Sequence, residues 1–130
     1  MLSKSKTFAG LAAVAALGAA ASPAFAHHSA NAQFDTSKEM QVTGTLTEMD
    51  DINPHSRWLM IAKGANGQPV KWQFESVSPN ALRHQGVHVK EDIKPGDTYG
   101  FIYSPAWDGT NTGLLTAMVI NGKRVQYVNV

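Results

Sequence analysis

The chain contains no cysteine. It can therefore form no disulfide, no thiolate metal centre and no cysteine nucleophile, and packing alone has to hold its fold. It also lacks a dominant charge: 11 Lys+Arg against 10 Asp+Glu leave +1, far from the cationic groove that a nucleic acid requires. A glycine-rich phosphate loop, a nucleophile elbow, an internal repeat and a low-complexity segment are all missing as well. The longest apolar run, Phe8 to Ala21, covers 14 residues and is interrupted only by Gly10 and Gly18. That is short of the about 20 residues that span a bilayer.

The flanks of this run give it a different meaning. Lys4 and Lys6 precede it, and Pro23 and the small-x-small triplet Ala24-Phe25-Ala26 follow it. This is the pattern of a Sec-type signal peptide over residues 1–26, cut after Ala26, and it predicts a periplasmic or secreted product. With no cysteine after the run, lipid has no attachment point, so the reading includes no membrane anchor. Cleavage removes two lysines and no acid, which leaves a mature chain of residues 27–130 with a formal charge of −1. A chain of that length makes one domain with one modest core.

Residues 27–38 are polar, carry one large apolar residue, Phe34, and read as an extended N-terminal arm. From there to residue 130 the pattern is mainly β. Met40 to Met49 alternates and is rich in β-branched residues, with Gly44 suited to a bend or bulge. Turn formers at Asp50-Asp51-Ile52-Asn53-Pro54 end it. A second run, His55 to Ala62, meets a third, Pro69 to Glu75, across the Asn66-Gly67 hairpin signal, and in the third Val70, Trp72 and Phe74 share one face. Ser78 as cap, Pro79 at the first helical position and Gly86 as stop predict a helix of two turns. Three more strands follow, over Thr98 to Tyr103, Leu114 to Ile120 and Lys123 to Val128, the last two joined by Asn121-Gly122. This order predicts a small five- to six-stranded OB-like barrel with one short helix between the third and fourth strands.

Chemistry is concentrated at the expected mature terminus. A free His27 offers its amine and ring Nδ1 as a chelate, and His28 adds a backbone nitrogen and a second imidazole. Such nitrogen donors favour Cu(II), with zinc or nickel after it. His55, in Asn53-Pro54-His55-Ser56, is the candidate third ligand if the arm folds back over the barrel. The competing reading treats all three as polar groups of a solvated end and a turn. His84 and His88 are four apart, but Gly86 breaks the helix that would align them. Glu48, Asp50 and Asp51 read as a solvated turn, because neighbours on a strand face opposite ways. Most aromatic residues belong to the core, and Trp107, in Ser104-Pro105-Ala106-Trp107-Asp108-Gly109, is expected to be exposed.

Several motifs act together: His27-His28-Ser29, Phe34-Asp35, Gly44-Thr45, Asn53-Pro54-His55-Ser56, Trp72 to Glu75, Ser78-Pro79-Asn80-Ala81-Leu82 and Lys94-Pro95-Gly96-Asp97. As a set they resemble a family of small exported bacterial proteins catalogued as a domain of unknown function, through nearly the whole mature chain. The resemblance supports the boundaries and implies no activity. Ala30 stands where that family carries a large apolar residue, which argues against a firmly packed arm. The expected function is a non-enzymatic periplasmic metal-binding carrier or accessory module holding copper through His27, His28 and His55. Its partner is then the metal ion or a periplasmic protein. The alternative is a small-ligand or protein-interaction module that uses the barrel face and the Trp107 loop, with incidental histidines.

Overall fold

Five strands of the chain each pair with at least two neighbours, and this closes the sheet. The computed structural model describes residues 30–50 and 54–129. β1 (Met40–Asp50) pairs antiparallel with β4 (Thr98–Pro105) through its first half, Met40 to Thr45, and with β2 (His55–Lys63) through its second half, Thr45 to Asp50. Gly44 lies just before the handover. A Cβ there would come within 2.5 Å of the Ile61 carbonyl oxygen, so only glycine lets the two backbones approach this closely. A bend or bulge is expected at Gly44, and the bulge itself lies between Leu46 and Glu48, where Thr47 is the extra residue and its hydroxyl donates to the Leu59 carbonyl at 3.1 Å.

β2 pairs in continuous register with β3 (Pro69–Val77), from His55 opposite Val77 to Lys63 opposite Pro69. β5 (Thr112–Ile120) lies antiparallel to β4 and, over Thr112 to Leu114, parallel to β3. The parallel contact completes a closed barrel in the order β1-β2-β3-β5-β4, the OB-like architecture expected from the element order. β6 (Lys123–Gln126) returns along the upper half of β5 as an added strand. The turn between them has Asn121 at φ 51° and Gly122 at φ 76°, the paired left-handed conformation of a two-residue hairpin.

The helical connection comes as two pieces. In α1 (Pro79–His84), the Ser78 hydroxyl accepts from the Ala81 N–H at 3.3 Å. Gly86, at φ 81°, donates to the Arg83 carbonyl while Val87 donates to Leu82, a Schellman end in which Leu82 and Val87 are both buried. α2 (Val89–Asp92) follows as a single extra turn and adds Val89 and Ile93 to the core.

Inside the barrel Phe74 and Phe101 stack at 5.3 Å between ring centroids, and Tyr103 meets Phe74 at 5.2 Å and Trp72 at 5.3 Å. Trp58 is fully buried, and its indole N–H donates to the Ser56 hydroxyl, which in turn donates to the Val77 carbonyl. Buried Ser76 and Thr116 donate to the Leu115 and Ile102 carbonyls. Among the described residues no buried side-chain nitrogen or oxygen lacks a partner, so these polar groups enter the core without a desolvation penalty left standing.

Candidate functional site

The arm reaches the barrel and is fastened there. Residues 30–33 form one helical turn, closed by the Phe34 N–H to the Ala30 carbonyl at 2.8 Å. Phe34 then bridges to Ala106 at the end of β4 and is buried to 4% exposure. The next N–H, that of Asp35, donates to the Pro105 carbonyl at 2.8 Å. Ala30 is small, as the sequence shows, but Phe34 supplies the apolar anchor four residues later, and the arm is not extended throughout.

A buried carboxylate locks the turn that follows. Asp35 Oδ1 accepts from the Ser37 hydroxyl at 2.5 Å and the Ser37 N–H at 3.3 Å, and Lys38 Nζ lies 2.9 Å from Oδ2. The Ser37 hydroxyl, helped by Lys38, holds the Asp35 carboxyl below the usual aspartate range. On the other side Trp107 works as a clasp. Its backbone N–H donates to the Gln33 carbonyl and its indole N–H to the Asn31 carbonyl, each at 3.0 Å. The rest of its ring is open to solvent, at 60% exposure, as expected for this loop. Asp108 stiffens the loop by accepting from the Thr110 N–H and hydroxyl at 3.0 and 2.7 Å.

Of the sequence-predicted ligands, His27 and His28 lie outside the described residues. His55 is described, exposed at the first position of β2 opposite Val77. Along the chain the 11-residue β1 separates the arm from His55, but closure of the barrel gives a shorter way round, from Ala106 to Thr112, from Thr112 to Gln73, and along β3 to Val77 opposite His55. The three residues from Ala30 back to His27 reach about 10 Å at full extension. Residues 30–38 make no hydrogen bond or ion pair with His55 among the described residues. His84 and His88 are separated by the Gly86 turn, and His88 Nδ1 lies 3.5 Å from Glu91 Oε2. Among the described residues no three His, Asp or Glu side chains gather as a metal-binding group.

The acidic turn resolves into surface ion pairing. Glu48 and Asp50, two apart beyond the bulge, share a face, and both point to Arg57, whose Nε donates to Asp50 Oδ2 at 2.9 Å while Glu48 Oε1 lies 3.8 Å from the guanidinium. Asp51 lies outside the described residues. The Phe34, Asp35 and Trp107 fastening was not foreseen as a unit. Its one sequence signal is Phe34 itself, a lone large apolar side chain in a polar segment.

Among the described residues no helix is long and apolar enough to cross a membrane. No curated protein matches the sequence. A family model described as a family of unknown function, DUF6152, matches residues 14–128, and the chain belongs to that family.

Proposed function

We propose that the chain is exported, cut after Ala26, and acts in the periplasm as a non-enzymatic copper-binding carrier or accessory module. The proposed ligands are the terminal amine and ring of His27 with the backbone nitrogen and ring of His28, a nitrogen set that favours Cu(II) over zinc or nickel. The observation that carries this reading is the fastened arm. A terminal chelate on a free tail is only a chemical accident of having histidine first. Here the segment three residues downstream is pinned by Trp107, Phe34 and Asp35, so the metal end would leave the barrel from a fixed point. His55, at the first position of β2, is the proposed third ligand.

The test is a copper titration of the processed protein beside a version carrying one extra N-terminal residue. Loss of the terminal-amine chelate is expected to weaken binding at least about tenfold, which is about 1.4 kcal/mol. Equal affinity would remove the amine from the site and end this reading. His55→Ala is expected to weaken binding as well, and an unchanged affinity would remove His55 from the set. The exposed indole of Trp107 favours a second reading, an interaction module with incidental histidines. That reading gains if the processed protein binds no copper.

A further inference from the structure

A cleft of about 520 Å³ separates α2 from β6, with Glu91 and Asp92 on one wall and Lys123, Arg124 and Val125 on the other. Side chains of consecutive strand residues alternate between the two faces of a sheet. Three consecutive residues lining one cleft therefore mean that the edge of β6, rather than either face, borders it. The hairpin fixes which backbone groups lie on that edge. In a two-residue turn the closing pair is hydrogen-bonded, here Ile120 with Lys123, so Lys123 and Val125 direct their N–H and C=O groups to β5. The same parity continues to Tyr127, whose N–H donates to the Thr116 carbonyl at 2.7 Å. The N–H and C=O groups of Arg124 and Gln126 therefore point away from β5, and none of them has a backbone partner among the described residues.

The charges beside this edge are unevenly satisfied. The Arg124 guanidinium is held by Glu39 through bonds of 2.8 and 2.9 Å and by the Gln126 side chain. Lys123 makes no ion pair among the described residues, and Glu91 and Asp92 meet only His88, through its ring at 3.5 Å and its N–H at 3.3 Å. Val87, Ile120 and Val125 supply apolar surface between them.

We propose that the edge of β6 is a strand-addition site for an extended peptide. Its backbone would pair with Arg124 and Gln126, a basic side chain would meet Glu91 and Asp92, and an acidic one would meet Lys123. Backbone pairing supplies the affinity in such a site, and the alternating side chains supply the selection. The site is independent of the arm and of copper.

The experiment is a titration of ¹⁵N-labelled protein with a capped valine-lysine-valine-glutamate-valine peptide, followed by the amide signals. Saturable shifts of Arg124 and Gln126 are expected below about 1 mM peptide, with slowed solvent exchange at both. A twin peptide N-methylated at its pairing nitrogens is expected to lose at least tenfold in affinity, and Asp92→Lys is expected to weaken the parent peptide by as much. Absence of saturable change at Arg124 and Gln126, or equal binding of the N-methylated twin, would overturn strand addition. Undiminished binding to Asp92→Lys would overturn the basic side-chain assignment.

Discussion

The two appendages of the barrel, the N-terminal arm and the C-terminal strand β6, are attached in opposite ways. The arm is held by one isolated bridge, one buried ring and a few hydrogen bonds at the rim. β6 adds four residue pairs to β5, and the chain then drives Tyr127 into the core, where it is fully buried, lies 5.9 Å from Trp58 and donates to Met118 Sδ at 3.1 Å. The difference is one of cooperativity. The arm can let go without the barrel noticing, because its contacts end at the rim, whereas β6 cannot leave without emptying the core beside Trp58 and Met118. The proposed metal end would sit on the first kind of attachment, next to the rim.

The sharpest way to break this contrast is a pair of deletions. Tyr127→Ala leaves a cavity beside Trp58 and is expected to cost about 3–5 kcal/mol of global stability, read from a shifted urea midpoint with unchanged slope. Phe34→Ala removes a comparable ring but is limited by the local opening of the arm. Its expected effect is under about 2 kcal/mol, with new protease cleavage near residues 30–38. Equal losses for the two would mean that the arm is part of the cooperative unit.

Two titrations sharpen it further. Burial pushes the Tyr127 hydroxyl well above the ordinary tyrosine value, so its contribution is complete below about pH 10 and falls away above it, as the unfolded chain ionises while the folded one stays neutral. Tyr127→Phe is expected to move the onset of alkaline unfolding upward, though not to abolish it, because burial raises Tyr103 as well. Asp35 works at the other end of the scale. Its lowered value means that it steadies the arm above about pH 4 and that this support is lost as the pH falls through the folded value. Asp35→Asn is expected to flatten that acid step in arm protection, measured by amide exchange at Phe34 and Asp35, and to leave barrel amides unchanged.

Local patterns carried the strands because each has its own alternation and its own turn. Trp72 and Phe74 share the inner face as their spacing predicts, and Asn121-Gly122 makes the expected hairpin. What the sequence hid is set by partners distant along the chain. The handover at Gly44 depends on Ile61, the seat of Phe34 depends on Ala106, and nothing in either neighbourhood names its partner. α2 escaped for another reason: Val89 to Asp92 is a single turn, too short for a helical period to be visible. The candidate site was legible only as a list of nitrogen donors. Whether His55 could join them is decided by how the barrel closes, a property of the whole sheet.

The Trp107 clasp also sets an order of events. Its indole grips Asn31 across 76 positions of chain, and the loop that presents it exists only once β4 and β5 have paired. Residues 30–33 are consequently among the last of the described residues to be organised, since long loop closures come late in folding. A chain emerging in sequence from the ribosome would leave residues 30–33 unfastened until β4 and β5 had arrived, so fastening of the arm would report a completed barrel.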